Sequence, residues 1–452
     1  MSQRTIPTAR ELDALTGSRD RVVDLIRLVS LVVVIAGHSL MLTVQIDSDG
    51  IELGSLLADA RILQALTWVL QILPLFFFAG AAAATYGWDT DRPPSPGHWL
   101  LTRAQRLLRP VFWYLAAVLG VLGLLRVFHA SALADVVARL GVQLLWFLGA
   151  YLLVLAILPL MQRISTGRDV GVVVGGAWLL TAAVDTLRLT TGLDGLGDLT
   201  FVTVWMIPAA LGVGYAKRLV SVPVAAATAL AALLVDVAMV VFGPYEVSLV
   251  TVPGQQLSNM SPPTALLAGH AIVLCMLAIA LWARLSRLVS RPRIWWWVVL
   301  GNRNAMTLYL WHLPVLALVI ALGWAAGLPR TGPTDGLGWS VVVTETILLV
   351  ALMIPTIRLL GATENRLLPL WDAPVARRAG RLRDAGVWVL VTIGGLGLLM
   401  LARDGLIGTG LGWGAMAVGA MVCGRLLAAS RADAAVAPVP PLPAAKPVER
   451  VD

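Results

Sequence analysis

Apolar residues run along this chain in long blocks of 17 to 29 residues, broken by short polar stretches. A helix crossing a membrane needs about 20 mostly apolar residues. The blocks predict twelve spans: 22–44, 62–86, 107–128, 138–161, 170–187, 199–216, 222–242, 264–285, 295–323, 338–360, 386–402 and 405–428. Only Arg403 and Asp404 separate the last two, which predicts a tight hairpin. No clear internal repeat is visible, which argues against transporter folds made of repeated halves.

Charge placement gives an independent test. With the N-terminus in the cytoplasm, 27 of the 34 Lys and Arg fall on inner segments, as the positive-inside rule requires. The reverse orientation would put them all outside. The expected location is therefore the cell membrane, with both termini cytoplasmic and the lipid bilayer as solvent. Composition agrees. Hydrophobic residues make up 58% of the 452 and charged residues only 13%, against roughly a quarter in soluble domains. Mean hydropathy is +0.82. The net charge of +8 follows from topology, so nucleic acid is not an expected partner. Cys275 and Cys423 both lie in apolar runs without metal-ligand spacing, so no metal is expected.

The first span, "RVVDLIRLVSLVVVIAGHSL", holds the chemistry. Asp24 and Arg27 are three residues apart and share a helix face. Arg27 and His38 are eleven apart, about three turns plus 20°, so they share a face at a separation of about 16 Å. This spacing puts Arg27 at the cytoplasmic boundary and His38 near mid-bilayer. An ionisable group at that depth faces the protein interior or a wet cavity. An imidazole there is suited to general-base work on a hydroxyl, or simply hydrogen-bonds a neighbouring helix. Before the third span, Arg103, Arg106 and Arg109 recur every three residues and form one guanidinium face. Such a face binds phosphate oxygens or marks the inner membrane surface.

The order of these motifs resembles the acyltransferase-3 family of integral membrane acyltransferases. The Asp24, Arg27 and His38 pattern on a first helix matches that family's. "PLFFFAG" resembles its Phe-rich segment, with Ala79 where the family usually has Ser, so no role is assigned to that position. "RAQRLLRP", "LWFLGAYLLVLAILPL" and "GNRNAMTLYLWHLPV" follow in the family's order, the last matching at Tyr309 and His312. The resemblance covers residues 20–360. It implies an all-α polytopic membrane bundle, with a ten-span acyltransferase core and a C-terminal two-helix extension. It implies O-acyl transfer from cytoplasmic acyl-CoA, with acetyl-CoA the expected donor, to a hydroxyl of a cell-surface or exported glycan, a lipid-linked sugar or a similar acceptor. His38, Arg27 and Asp24 become the catalytic candidates, and Arg106, Arg109 and Arg103 the donor-binding ones. A proton-coupled transporter or flippase of twelve spans is the alternative, but it leaves the Arg27–His38 spacing unexplained.

Other polar residues in spans are Arg303, Glu345, Asp185, Asp236, His270 and His312. His312, Tyr309, Arg303 and Glu345 are expected at the pocket, and the alternative for each is a helix–helix hydrogen bond. The expected layout is a cytoplasmic segment 1–21, the membrane domain 22–360, a basic linker 361–385, the hairpin 386–428 and a Pro/Ala-rich tail 429–452 too poor in core-forming residues to fold alone.

Overall fold

A computed structural model describes residues 19–47, 50–59, 61–255, 257–328, 336–373, 375 and 380–429. The tail from residue 430, the first eighteen residues and part of the basic linker lie outside it.

The chain is an all-helical membrane bundle with one small hairpin. The helices are α1 Arg21–Met41, α2 Leu56–Asp59, α3 Thr67–Leu70, α4 Leu73–Tyr86, α5 Pro96–Val127, α6 Ser131–Gln143, α7 Leu145–Met161, α8 Gly167–Thr191 and α9 Thr200–Ala216. They continue as α10 Val222–Phe242, α11 Ala265–Ala280, α12 Trp282–Val289, α13 Pro292–Arg303, α14 Ala305–Ala325, α15 Gly336–Glu364, α16 Arg381–Asp404 and α17 Thr409–Ala428. Among the described residues, eleven segments are long and apolar enough to cross a membrane, or twelve if the bent pair α11–α12 counts as one.

The differences from the sequence reading have local causes. The first apolar run does not stay helical to residue 44. It turns after Met41 into an antiparallel pair, β1 Leu42–Asp47 with β2 Gly50–Ser55, where Thr43, Val44 and Ile46 favour extended backbone. The run 138–161 breaks at Leu144, which joins α6 to α7. The run 264–285 stops at Ala280, and α12 departs from it at 62°. The run 295–323 divides at Asn304, so that α13 and α14 are separate helices.

Helix starts follow ordinary end chemistry. Asp20 caps α1 through the amides of Val22 and Val23, at 3.0 and 3.2 Å. Its other carboxylate oxygen takes hydroxyls from Tyr86 (2.8 Å) and Tyr215 (2.7 Å), pinning the start of α1 to α4 and α9. α5 is capped from a distance: Asp384 of α16 accepts Ser95 Oγ (2.6 Å) and the amides of Gly97 (3.0 Å) and His98 (2.9 Å).

Inside lipid, close packing and small residues hold helices together. Phe77 of α4 stacks on Trp205 of α9, both fully buried, with centroids 4.6 Å apart. α16 lies on α7 as well as on its hairpin partner α17. A Cβ on Gly149 of α7 would lie 2.6 Å from the carbonyl oxygen of Gly395, so this contact needs glycine. The last two helices are thus built into the bundle beside the first ten spans.

Candidate functional site

Two imidazoles meet inside the bundle. His38 lies in the last turn of α1, and its Nδ1 is 2.9 Å from Nε2 of His312 on α14. The rings are nearly parallel, at 8°, with centroids 5.2 Å apart. His312 is fully buried, while His38 is half-buried and keeps part of its surface open. His312 is the eighth residue of a 21-residue helix, about 10 Å along a length of about 31 Å. The pair therefore sits well inside the span of α14, although His38 is near the end of its own helix.

The hydrogen bonds assign the protons. His312 Nδ1 faces two backbone carbonyls, Tyr309 at 2.8 Å and Leu308 at 3.1 Å. Carbonyl oxygens only accept, so in the neutral pair Nδ1 of His312 carries its hydrogen. Nε2 of His312 is then an acceptor, and the hydrogen between the rings belongs to His38 Nδ1. Nε2 of His38 is left with a free lone pair. That is the form a general base or a nucleophile requires.

Neighbours hold both rings in place. Ser39 Oγ bonds Thr346 Oγ1 of α15 at 2.7 Å, which fixes the turn carrying His38. Glu364 accepts the Thr307 hydroxyl at 2.6 Å and the indole N–H of Trp311, which fixes the rotation of α14 on both sides of Tyr309. Nothing in the sequence marks Glu364 for this task, since it stands at the edge of a basic linker. Asp20 was legible in principle, as an Asp directly before an apolar helix.

The other candidates separate into groups. Arg27 is half-buried, with its guanidinium 5.9 Å from the ring centre of Phe76 and its Nε without a partner. Asp24 is buried and lies 3.6 Å from Arg19, and its carbonyl holds the Asn302 side chain at 2.8 Å. Arg103, Arg106 and Arg109 at the start of α5 do not act as one face. Arg103 stacks on Trp99 at 3.8 Å, Arg106 is exposed, and Arg109 is bound in bidentate fashion to Asp372 at 2.6 to 2.9 Å. Tyr309 gives its hydroxyl to the Leu144 carbonyl, filling the break between α6 and α7. Arg303 is exposed at the end of α13, outside the long apolar helix in which the sequence put it, because the chain breaks at Asn304. Glu345 is buried next to Thr346 and packs on Gly323. Asp185 is engaged by Arg188 (3.0 Å), Tyr245 (3.2 Å) and the Ala265 amide (2.7 Å), so it serves the fold. Asp236 and His270 are buried on α10 and α11, His270 edge-on to Trp68. Among the described residues no three His, Cys, Asp or Glu side chains gather to hold a metal ion.

A family model described as an acyltransferase domain matches residues 20–358, three quarters of the chain. The chain belongs to the acyltransferase-3 family. Acyltransferase-3 membership makes it a multi-pass membrane acyltransferase, and the transporter alternative loses its support. The matched region contains both histidines, Arg27 and the α5 arginines, and it stops before α16. No curated protein and no solved structure matches the chain.

Proposed function

We infer that this acyltransferase moves an acyl group, acetyl in the simplest case, from cytoplasmic acyl-CoA to a hydroxyl of a cell-surface or exported glycan or a lipid-linked sugar. His38 is its base. The observation that carries this reading is the bonding order Tyr309 O, His312, His38, which leaves His38 Nε2 unprotonated. In the proposed step, His38 Nε2 takes the proton of the acceptor hydroxyl as that oxygen attacks the thioester carbonyl. The C–S bond breaks, and the departing CoA thiolate takes the proton back from His38. If the imidazole attacks first, an acyl-His38 intermediate forms, and the acceptor oxygen then displaces it with the same proton balance.

The 27 basic residues on alternate segments support a cytoplasmic N-terminus, and so donor entry at the end where α1 begins. Arg106 and Arg103 are the arginines of α5 suited to donor phosphates, since Arg109 is occupied by Asp372. Arg27, beside Phe76 and with an unpartnered Nε, stands between that end and His38 and is suited to the polar part of the arriving thioester.

The test is release of free thiol from acetyl-CoA by purified protein supplied with hydroxyl acceptors, compared with His38→Ala. Thiol release that depends on His38 is the expected result. Equal release by both proteins removes His38 from the chemistry.

A further inference from the structure

α12 and α13 form a bent element that takes no part in the acyl transfer described above. α11 is 16 residues long, about 24 Å, and ends near the face of the bundle where α1 begins. There the chain turns by 62° into α12, so α12 runs across the bundle axis instead of along it. Arg284, Arg287, Arg291 and Arg293 on α12 and the start of α13 are all exposed. Between Glu246 and Asp335 the sequence has no acidic residue to neutralise them. The acids that α1 brings to this face are engaged elsewhere, Asp20 by the α1 amides and two tyrosines and Asp24 by Arg19.

The same element exposes large apolar side chains beside those guanidiniums: Trp282 is 44% exposed, Leu288 40% and Trp297 63%. Val289 and Trp295 face inward and are buried. Inorganic phosphate would match the arginines but not the exposed Trp282, Leu288 and Trp297. A membrane surface matches both, with indoles among the headgroups and acyl carbons and guanidiniums on lipid phosphates.

We propose that α12 and the first turn of α13 form an interfacial docking surface for anionic phospholipid headgroups. The element is tied to the catalytic helix at two points. The Arg21 guanidinium lies 5.0 Å over the Trp295 ring, and Asn302 bonds the Asp24 carbonyl. Bound lipid therefore braces the end of α1 where Asp20 caps it. This surface is built on different helices from the α5 arginines assigned to the donor, and it does not depend on the acyl-transfer reading.

The experiment places the full chain in nanodiscs of phosphatidylcholine alone or mixed with phosphatidylglycerol, and measures retention of labelled phosphatidylglycerol against labelled phosphatidylcholine. The wild type should prefer phosphatidylglycerol by about fivefold or more. Arg284→Gln, Arg287→Gln, Arg291→Gln and Arg293→Gln combined should abolish that preference, and the corresponding four Lys substitutions should keep it. If the combined Gln variant does not fold, Arg287→Gln alone should lower the preference. An unchanged preference in the Gln variant overturns the proposal. So does a raised KM for acyl-CoA in phosphatidylcholine with lipid preference intact, which would give these guanidiniums to the donor.

Discussion

Replacing His312 with Phe removes the acceptor for His38 Nδ1–H and leaves ring bulk in a fully buried position. The 2.9 Å bond between the rings is then lost, and a partly buried donor is left without its partner at a cost of about 1–3 kcal/mol. The His38 ring is also released to turn or to move its hydrogen to Nε2, where it blocks the base. At about 1.4 kcal/mol per factor of ten, kcat should fall about 10- to 100-fold. KM for acyl-CoA should not move, because among the described residues the His312 ring bonds His38 and two backbone carbonyls. His312→Gln offers a carbonyl oxygen near the lost Nε2 and should recover part of the rate. His38→Ala with His312→Phe should be no slower than His38→Ala alone, since residues that act as one unit are not additive. The assay is steady-state thiol release, with a thermal melt to show that each variant is folded. Wild-type kcat in folded His312→Phe, or fully additive losses in the double variant, would refute the assigned proton order.

Three further outcomes test the frame around the pair. Arg109→Ala and Asp372→Ala should lower the melting temperature by similar amounts and leave the KM for acyl-CoA unchanged, whereas Arg106→Ala should raise that KM; equal effects of Arg109 and Arg106 on KM would restore the three-arginine face. Glu364→Gln turns a charged acceptor for Thr307 and Trp311 into a neutral one, and a denaturation series should show a loss of about 1–3 kcal/mol. Gly149→Val drives a side chain into the backbone of Gly395 and Leu399, and should cost about 1–3 kcal/mol by the same measurement as α16 is pushed off α7.

The all-helical bundle was legible because lipid makes length and hydropathy nearly sufficient to find a span. Breaks inside apolar runs were not, because nothing in a run such as 138–161 announces that Leu144 will leave its carbonyl for Tyr309. Arg27, His38 and His312 could be picked out as ionisable residues where such groups are costly. The bond between His38 and His312 joins residues 274 positions apart, and spacing within one helix carries no information about it. Periodicity grouped Arg103, Arg106 and Arg109, but it could not reveal Asp372, which arrives from the linker and binds Arg109.

The cap on α5 has a consequence in time. Ser95 does not cap its own helix. The carboxylate that does so, on Asp384, is 287 residues further along from Gly97. At a synthesis rate of 5–20 residues per second that gap is roughly 15 to 60 s. For that interval the first amides of α5 have water in place of their carboxylate, and a ribosome that stalls before α16 leaves them so.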